Sequence, residues 1–363
     1  MRRKEAAPFV CGSAATRRYR AAVTDPAAAT AVAHFVLPHP VPAVEPHPTG
    51  HINDGWLVVA GPRRYLLQRL NQRVFPDADA VMENVVTVTT FLRERREPTL
   101  SLVPAQDGGF SWRDDAGSLW RVYDYVEGVT PLEVRSVADA ALVGLAFGRF
   151  HRLLADLDPA RLRVSMPGFH DPPRRLLAFE AAVAEDRDGR RSHASDAIRA
   201  VEDLRRVADA AHQLGVLPVR AAHNDAKGEN VLVGGDGDRA PLVVDLDTVM
   251  PTSVLWDVGD MVRSSSGASE EAATVHFDLE RYEALLEAFL SEAGGLLTTA
   301  EHAALPVAGV VATYEQAVRF LTDHLLGDVY FRVVQPGQNL ARARNQLQLL
   351  REMITALGQD GRL

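Results

Sequence analysis

The chain has 363 residues, 47% of them hydrophobic, a formal net charge of −9, and a single cysteine. That length supports two substantial cores. The negative balance with no dominant basic face argues against a nucleic-acid partner, and one cysteine excludes an internal disulfide framework and a cysteine-based zinc site. No apolar run approaches the roughly 20 residues that span a bilayer, and the twelve histidines form no short metal-ligand cluster.

In chain order, Arg2, Arg3, Lys4, Arg17, Arg18 and Arg20 lie among alanines without a continuous apolar centre. This predicts a loosely ordered N-terminal segment over residues 1–30 of a cytoplasmic protein rather than a secretion signal. Strand-like pieces follow at Val41 to Val44, Gly55 to Val59, Tyr65 to Leu70, Gly109 to Trp112 and Leu119 to Tyr125. Between them Val81, Val85, Val88 and Leu92 recur at helical spacing behind a capping Asp77. A small antiparallel sheet with one helix is therefore expected over residues 31–127.

After Gly128 the pattern turns helical. Ser136 and Asp139 have capping-box spacing ahead of an apolar stripe, and further helices are expected over Ala197 to Leu214, Ala300 to Leu326 and Asn339 to Leu357. The fold class expected is α+β and bilobal, with a sheet-based N-lobe and a mainly helical C-lobe over residues 128–363.

The most informative stretch is His223-Asn224-Asp225-Ala226-Lys227-Gly228-Glu229-Asn230, followed twenty positions after its aspartate by Asp245-Leu246-Asp247. A base aspartate five residues before an amide, then a metal-binding aspartate beyond a short hairpin, is the acidic layout of phosphoryl transfer. Val231 to Val233 and Leu242 to Val244 flank a glycine-rich turn, so a hairpin returns Asp245 beside the loop. Charge spreads over the moving phosphoryl oxygens, so the chemistry needs positioning and neutralisation. Hard Mg2+ takes carboxylate and amide oxygens, which makes Asn230 and Asp245 the candidate ligands and Asp225 the group that orients the acceptor hydroxyl. His223 is expected to orient the loop, and His151 to sit in the core.

Other pieces fit ATP between the lobes. Gly50 and Asn53 lie in a turn where backbone amides can approach phosphate. The third strand carries Gln68 where a kinase has lysine, with Arg69 beside it. Adjacent strand residues face opposite sides, so one of the two is expected in the cleft, with Glu83 on the following helix as its partner. Tyr125 and Glu127, before Gly128, stand where an interlobe hinge would offer groups to adenine. No Gly-x-x-x-x-Gly-Lys-Ser/Thr signature competes with this reading.

These motifs, with Leu67-Gln68-Arg69-Leu70-Asn71, Val81-Met82-Glu83-Asn84, Asp245 to Pro251, Arg319 to Asp323 and Gly327 to Phe331, resemble the aminoglycoside-phosphotransferase-like or choline-kinase-like superfamily. Within it they are most similar to N-acetylhexosamine 1-kinases, in the same order over roughly residues 40 to 335. The resemblance implies transfer of phosphate from ATP, with Mg2+, to the anomeric hydroxyl of N-acetylglucosamine or N-acetylgalactosamine. It implies Asp225 as base with Lys227 neutralising phosphate, Asn230 and Asp245 as metal ligands, Arg319, Asp247 and Tyr330 at the acceptor, and Asp257 as a structural aspartate. Ala226, Gly228 and Glu229 depart from the family's loop. An aminoglycoside or amino-alcohol kinase, and a nucleotide-binding pseudokinase suggested by the missing strand lysine, are the alternatives.

Overall fold

The computed structural model describes residues 25–39, 43–47, 52–235 and 240–359. It opens on helix α1 (Pro26–Val32), capped by the Asp25 carboxylate on the Ala27 amide, which overlaps the end of the segment expected to be loosely ordered. Strands β1 (Ala43–Pro46), β2 (Asp54–Ala60), β3 (Arg63–Arg69), β4 (Trp112–Arg113) and β5 (Leu119–Asp124) form one antiparallel sheet in the order β1-β2-β3-β5-β4. One face is apolar. Trp56, Val58, Tyr65, Leu67, Trp120 and Val122 pack there under Ala28, Ala31 and Phe35, which gives α1 its purpose as a cover.

Helix α2 (Ala78–Glu94) forms where its spacing predicts and buries its apolar face in the second, larger core. Asp77 accepts from the Ala80 amide at 2.9 Å, and Val81, Val85, Val88 and Leu92 are all buried. Beyond β6 (Val129–Pro131) the chain becomes helical: α3 (Val137–Leu153), α4 (Pro172–Glu185), α5 (Ser195–Asp203) and α6 (Arg206–Gly215) precede the Asp225 loop. There β7 (Val219–Ala222) pairs with β10 (Met250–Ser253), and β8 (Val231–Gly234) with both β6 and β9 (Leu242–Val243). Helices α7 (Leu255–Ser265), α8 (Leu279–Ala293), α9 (Thr299–Leu325) and α10 (Gln338–Ala356) complete the second lobe. The chain is thus α+β and bilobal, a small antiparallel sheet joined to a mainly helical part. No helix among the described residues is long and apolar enough to cross a membrane.

The expected single helix over Ala197 to Leu214 is two, α5 and α6, broken at Leu204 and Arg205. Val201 and Val207 are both fully buried. Six residues turn a continuous α-helix by about 240° beyond a full turn, so its two ends could not aim both valines at one core. The break restores the aim.

The second lobe depends on close helix contact. An added Cβ at Gly144 of α3 would collide with the Leu285 carbonyl of α8, and one at Gly148 would lie 2.7 Å from the Phe289 carbonyl. Backbone cannot yield as a side-chain tip can, so Gly144→Ala is expected to cost about 1–3 kcal/mol. Denaturant unfolding checks this; a midpoint equal to wild type would mean that α3 and α8 separate freely.

Candidate active site

The loop between β7 and β8 is fastened before it reaches any reactive group. Asp257, fully buried at the start of α7, accepts the His223 amide at 2.7 Å through Oδ2 and the Asn224 amide at 2.6 Å through Oδ1. His151 Nε2 lies 2.8 Å from the same Oδ2. Despite a burial that favours the neutral acid, the His151 contact and the surrounding donors hold the Asp257 carboxyl below its usual range. The expectations of an orienting His223 and an interior His151 match these positions. His223 Nε2 donates to the Val244 carbonyl at 2.8 Å, and its ring stands edge-on to Phe147 and Phe150.

Asn224 takes φ +64° and Asp245 takes φ +60°, the left-handed region that asparagine and aspartate tolerate best after glycine. Such strained positions persist where surrounding bonds over-determine them. Here Asn224 Nδ2 donates to the Thr248 carbonyl at 3.0 Å, and Thr248 Oγ1 donates to the His223 carbonyl at 2.6 Å, so the two acidic segments are sewn together. Gly228, one of the departures noted in the loop, has a local reason: a Cβ there would lie 2.9 Å from the Leu132 carbonyl.

The structure brings Asp225, Lys227, Asn230, Asp245 and Asp247 together. Asn230 Nδ2 donates to the Asp225 carbonyl at 2.8 Å and to its Oδ2 at 3.0 Å. Lys227 Nζ lies 2.9 Å from Asp225 Oδ2. Burial would raise the Asp225 carboxyl, but the Lys227 ammonium, with His223 and Asn230, holds it far below the ordinary range. Lys227 shifts the opposite way: burial lowers it, and Asp225 and Asp245 more than reverse that.

Asp245 is the contrasting group. Its side chain is exposed to solvent, and among the described residues it accepts no hydrogen bond and joins no ion pair. Although the residue reaches solvent, the protein atoms around its carboxylate strip away part of its water, and with the fields of Asp247 and Asp225 this pushes the carboxyl up to about 6. An unpartnered carboxylate between two others is a place that favours a cation. Among the described residues no three His, Cys, Asp or Glu converge as a complete metal set. The donors present fit Mg2+ bound by Asp245 and Asn230 with phosphate oxygens and waters filling its octahedron, since that ion keeps much of its water.

The residues expected at the nucleotide are engaged within the protein in different ways. Gly50 lies outside the described residues. Asn53 is occupied in bridging: its Nδ2 donates to Asp247 Oδ2 at 2.7 Å and its Oδ1 accepts the Asn71 amide at 3.0 Å. Arg69 lies on the face opposite the acidic cluster, paired with Asp54 at 2.7 Å and over the Trp56 and Trp120 rings. Gln68 is the residue turned to the cluster, as strand alternation requires. Glu83 does not pair with the strand; it is exposed and meets Arg163 at 3.2 Å. Tyr125 and Glu127 both engage Arg64, one through the ring at 4.7 Å and the other through a carboxylate bond at 2.6 Å.

A second cation near the cluster, besides Lys227, is Arg121 of β5, to which the sequence analysis gave no role. It is the cross-strand partner of Gln68. Its Nη1 and Nη2 meet Asp247 Oδ1 and Oδ2 at 2.5 and 2.9 Å, and Gln68 Oε1 accepts from its Nε at 3.0 Å. Arg121 and Asp247 are 2% and 1% exposed, and Asp247, expected at the acceptor, is bonded by Arg121 and Asn53. Asn84 was also missed. From α2 its Nδ2 donates to the carbonyls of Arg163 and Val249, both at 2.8 Å, tying the helix to the segment that carries Asp247.

Arg319 on α9 has Glu315 and Asp323 at helical spacing, yet pairs with neither. Glu315 binds His170 and the Asp171 amide, while Asp323 accepts the amides of Val329, Tyr330 and Phe331 at 2.8–2.9 Å. The guanidinium lies 5.2 Å from the Phe169 ring, 5.8 Å from Tyr330 and 5.5 Å from Phe331, with Gln316 as its hydrogen-bond partner. Asp323 thereby builds the loop that brings two aromatic rings to the arginine.

Comparison with known proteins agrees with this layout. Among solved structures, the spectinomycin phosphotransferase APH(9)-Ia, in complex with ADP and spectinomycin, superposes with a TM-score of 0.61 at 11% identity, covering 90% of this chain and 96% of that one. An amicoumacin kinase in complex with AMP-PNP, Ca2+ and Ami gives 0.60 at 16% identity, over 87% and 91%. Choline kinase from Cryptosporidium parvum gives 0.54 at 13% identity, over 88% and 91%. At these identities the likeness concerns the fold. The profile of the phosphotransferase enzyme family, APH, matches residues 43–289, which hold the sheet, the Asp225 loop and the Asp245 segment, and the chain belongs to that family.

Proposed function

We propose that the protein transfers the terminal phosphoryl group of ATP to a hydroxyl of a small neutral sugar, with the anomeric hydroxyl of an N-acetylhexosamine as the favoured acceptor. The observation that carries the transfer is the meeting of Asp225, Lys227, Asn230 and the unpartnered Asp245 at one end of the interlobe sheet-and-helix junction. Asp225 orients the acceptor hydroxyl and receives its proton as the oxygen forms its bond to the γ phosphorus and the bond to the bridging oxygen of ADP breaks. Lys227, 2.9 Å from Asp225, is the cation that would meet the incoming phosphates. When it turns to phosphate, Asp225 loses the ammonium that holds its carboxyl low and becomes a better proton acceptor. Asp245 and Asn230 would hold Mg2+, which supplies neutralisation of the phosphate charge. The N-lobe of residues 31–127 is read as the nucleotide side and residues 128–363 as the acceptor side.

The acceptor wall supports a sugar over an aminoglycoside or amino-alcohol. A cationic acceptor calls for free carboxylates, whereas Glu315 is occupied by His170 and the group on display is the Arg319 guanidinium among Phe169, Tyr330 and Phe331. Such a donor suits hydroxyl and acetamido oxygens, and the rings suit an apolar sugar face. Loss of a charged hydrogen bond in a desolvated pocket costs about 1.5–3 kcal/mol, on the order of 10- to 150-fold in affinity. Arg319→Ala is therefore expected to raise the Michaelis constant for N-acetylglucosamine by that factor while leaving that for ATP and the melting temperature near wild type. Unchanged sugar kinetics would remove Arg319 from the acceptor site.

A further inference from the structure

We infer that His170 is a positioning residue, held as an imidazolium, that fixes the catalytic loop from behind and joins it to the acceptor helix. Its Nε2 faces the Asn224 carbonyl at 3.2 Å, and its Nδ1 faces Glu315 Oε2 at 2.8 Å. A carbonyl and a carboxylate both only accept, so each ring nitrogen must carry a proton. The arrangement is sealed: the side chains of His170 and Glu315 are 6% and 3% exposed. Trp256 stacks on the imidazole at 4.5 Å with planes 6° apart, a contact that favours a cation over the indole face.

The carbonyl that His170 holds belongs to the peptide joining Asn224 to Asp225. Asn224 is in the left-handed region, its amide is taken by Asp257 and its Nδ2 by Thr248. With the carbonyl also held, the peptides on both sides of the Asn224 Cα are fixed, and rotating the second would break the His170 bond and swing Asp225. Glu315 sits one helical turn before Arg319 on α9. The bonded series Arg319 helix, Glu315, His170, Asn224 and Asp225 therefore connects the acceptor wall to the proposed base.

The charged groups facing His170 are Glu315 and Arg319 from α9 and Asp260 from α7; Arg175 of α4 approaches Glu315 at 3.9 Å. Burial lowers the imidazole's proton affinity and Arg319 opposes its charge, but Glu315, aided by Asp260, carries the balance upward. Glu315 shifts correspondingly down.

The inference rests on Asp225 as the base, and its test separates the two. His170→Phe keeps a ring against Trp256 and removes both donors. Small misplacements of a reacting group cost up to about 100-fold, so turnover is expected to fall about 10- to 100-fold with the Michaelis constant for ATP within about twofold of wild type. Glu315→Gln, which leaves a less demanding neutral group, should rescue folding if Phe alone strands the buried carboxylate, and the double variant should show the same loss of turnover. Independently of activity, nitrogen-15 spectra of the wild-type protein at pH 7.5 should show both ring nitrogens of His170 protonated. A neutral imidazole there, or turnover in the Phe variants within about twofold of their His170 counterparts while Asp225→Asn is inactive, would overturn the inference. Wild-type turnover in Asp225→Asn would instead overturn the base assignment.

Discussion

Asp225→Asn is expected to reduce turnover by about 100-fold or more while nucleotide binding persists, because the change keeps the shape and removes the proton acceptor. The structure sharpens the expectation. Asp225 is held by Lys227 at 2.9 Å and Asn230 at 3.0 Å, so an amide in its place can keep a bond to Asn230 but no longer balances the ammonium. Steady-state kinetics with ATP titration checks both halves; turnover near wild type would sink the assignment.

Arg121→Ala is expected to be the most destabilising single change in the five-stranded sheet. Removing one partner of a buried pair leaves an uncompensated charge, at a cost of about 3–5 kcal/mol. Burial alone would lower the guanidinium, and the Asp247 carboxylate more than offsets it, raising its proton affinity well above normal. Arg69→Ala provides the contrast. Its pair with Asp54 is solvent-exposed and is worth about 0–1 kcal/mol, to which loss of the tryptophan contacts adds modestly. Urea unfolding of the two variants side by side decides the matter: similar midpoints would mean that Arg121 and Asp247 do not form the buried pair.

What was legible in the sequence was local. Spacing located α2, the capped start of α3, the two long closing helices, and the loop-hairpin-aspartate series, because each rests on periodicity, caps and turns within a short window. What escaped depends on register between distant segments. The cation sought on β3 is on β5, and only the pairing of Gln68 with Arg121 makes them neighbours. A hint existed in Leu119-Trp120-Arg121-Val122-Tyr123, where one charge interrupts an apolar strand and must have a buried partner. Asn84 and Glu83 show the same limit. Both lie on α2, and the polar residue that faces inward is the neutral one, since an amide can satisfy two carbonyls and one amide without burying a charge. His170 had no local signal at all, since its partners lie 54 and 145 positions away.

The central claim is phosphoryl transfer to a sugar hydroxyl, and phosphorus-31 NMR of the full-length protein with ATP, Mg2+ and N-acetylglucosamine tests it most directly. The account predicts stoichiometric loss of the γ-phosphate signal and growth of a sugar 1-phosphate resonance, absent when Asp225→Asn replaces the wild type. ATP left intact with N-acetylglucosamine and N-acetylgalactosamine, but consumed with an aminoglycoside or amino-alcohol, would contradict the acceptor assignment, and ATP left intact with every hydroxyl acceptor would contradict the catalytic one.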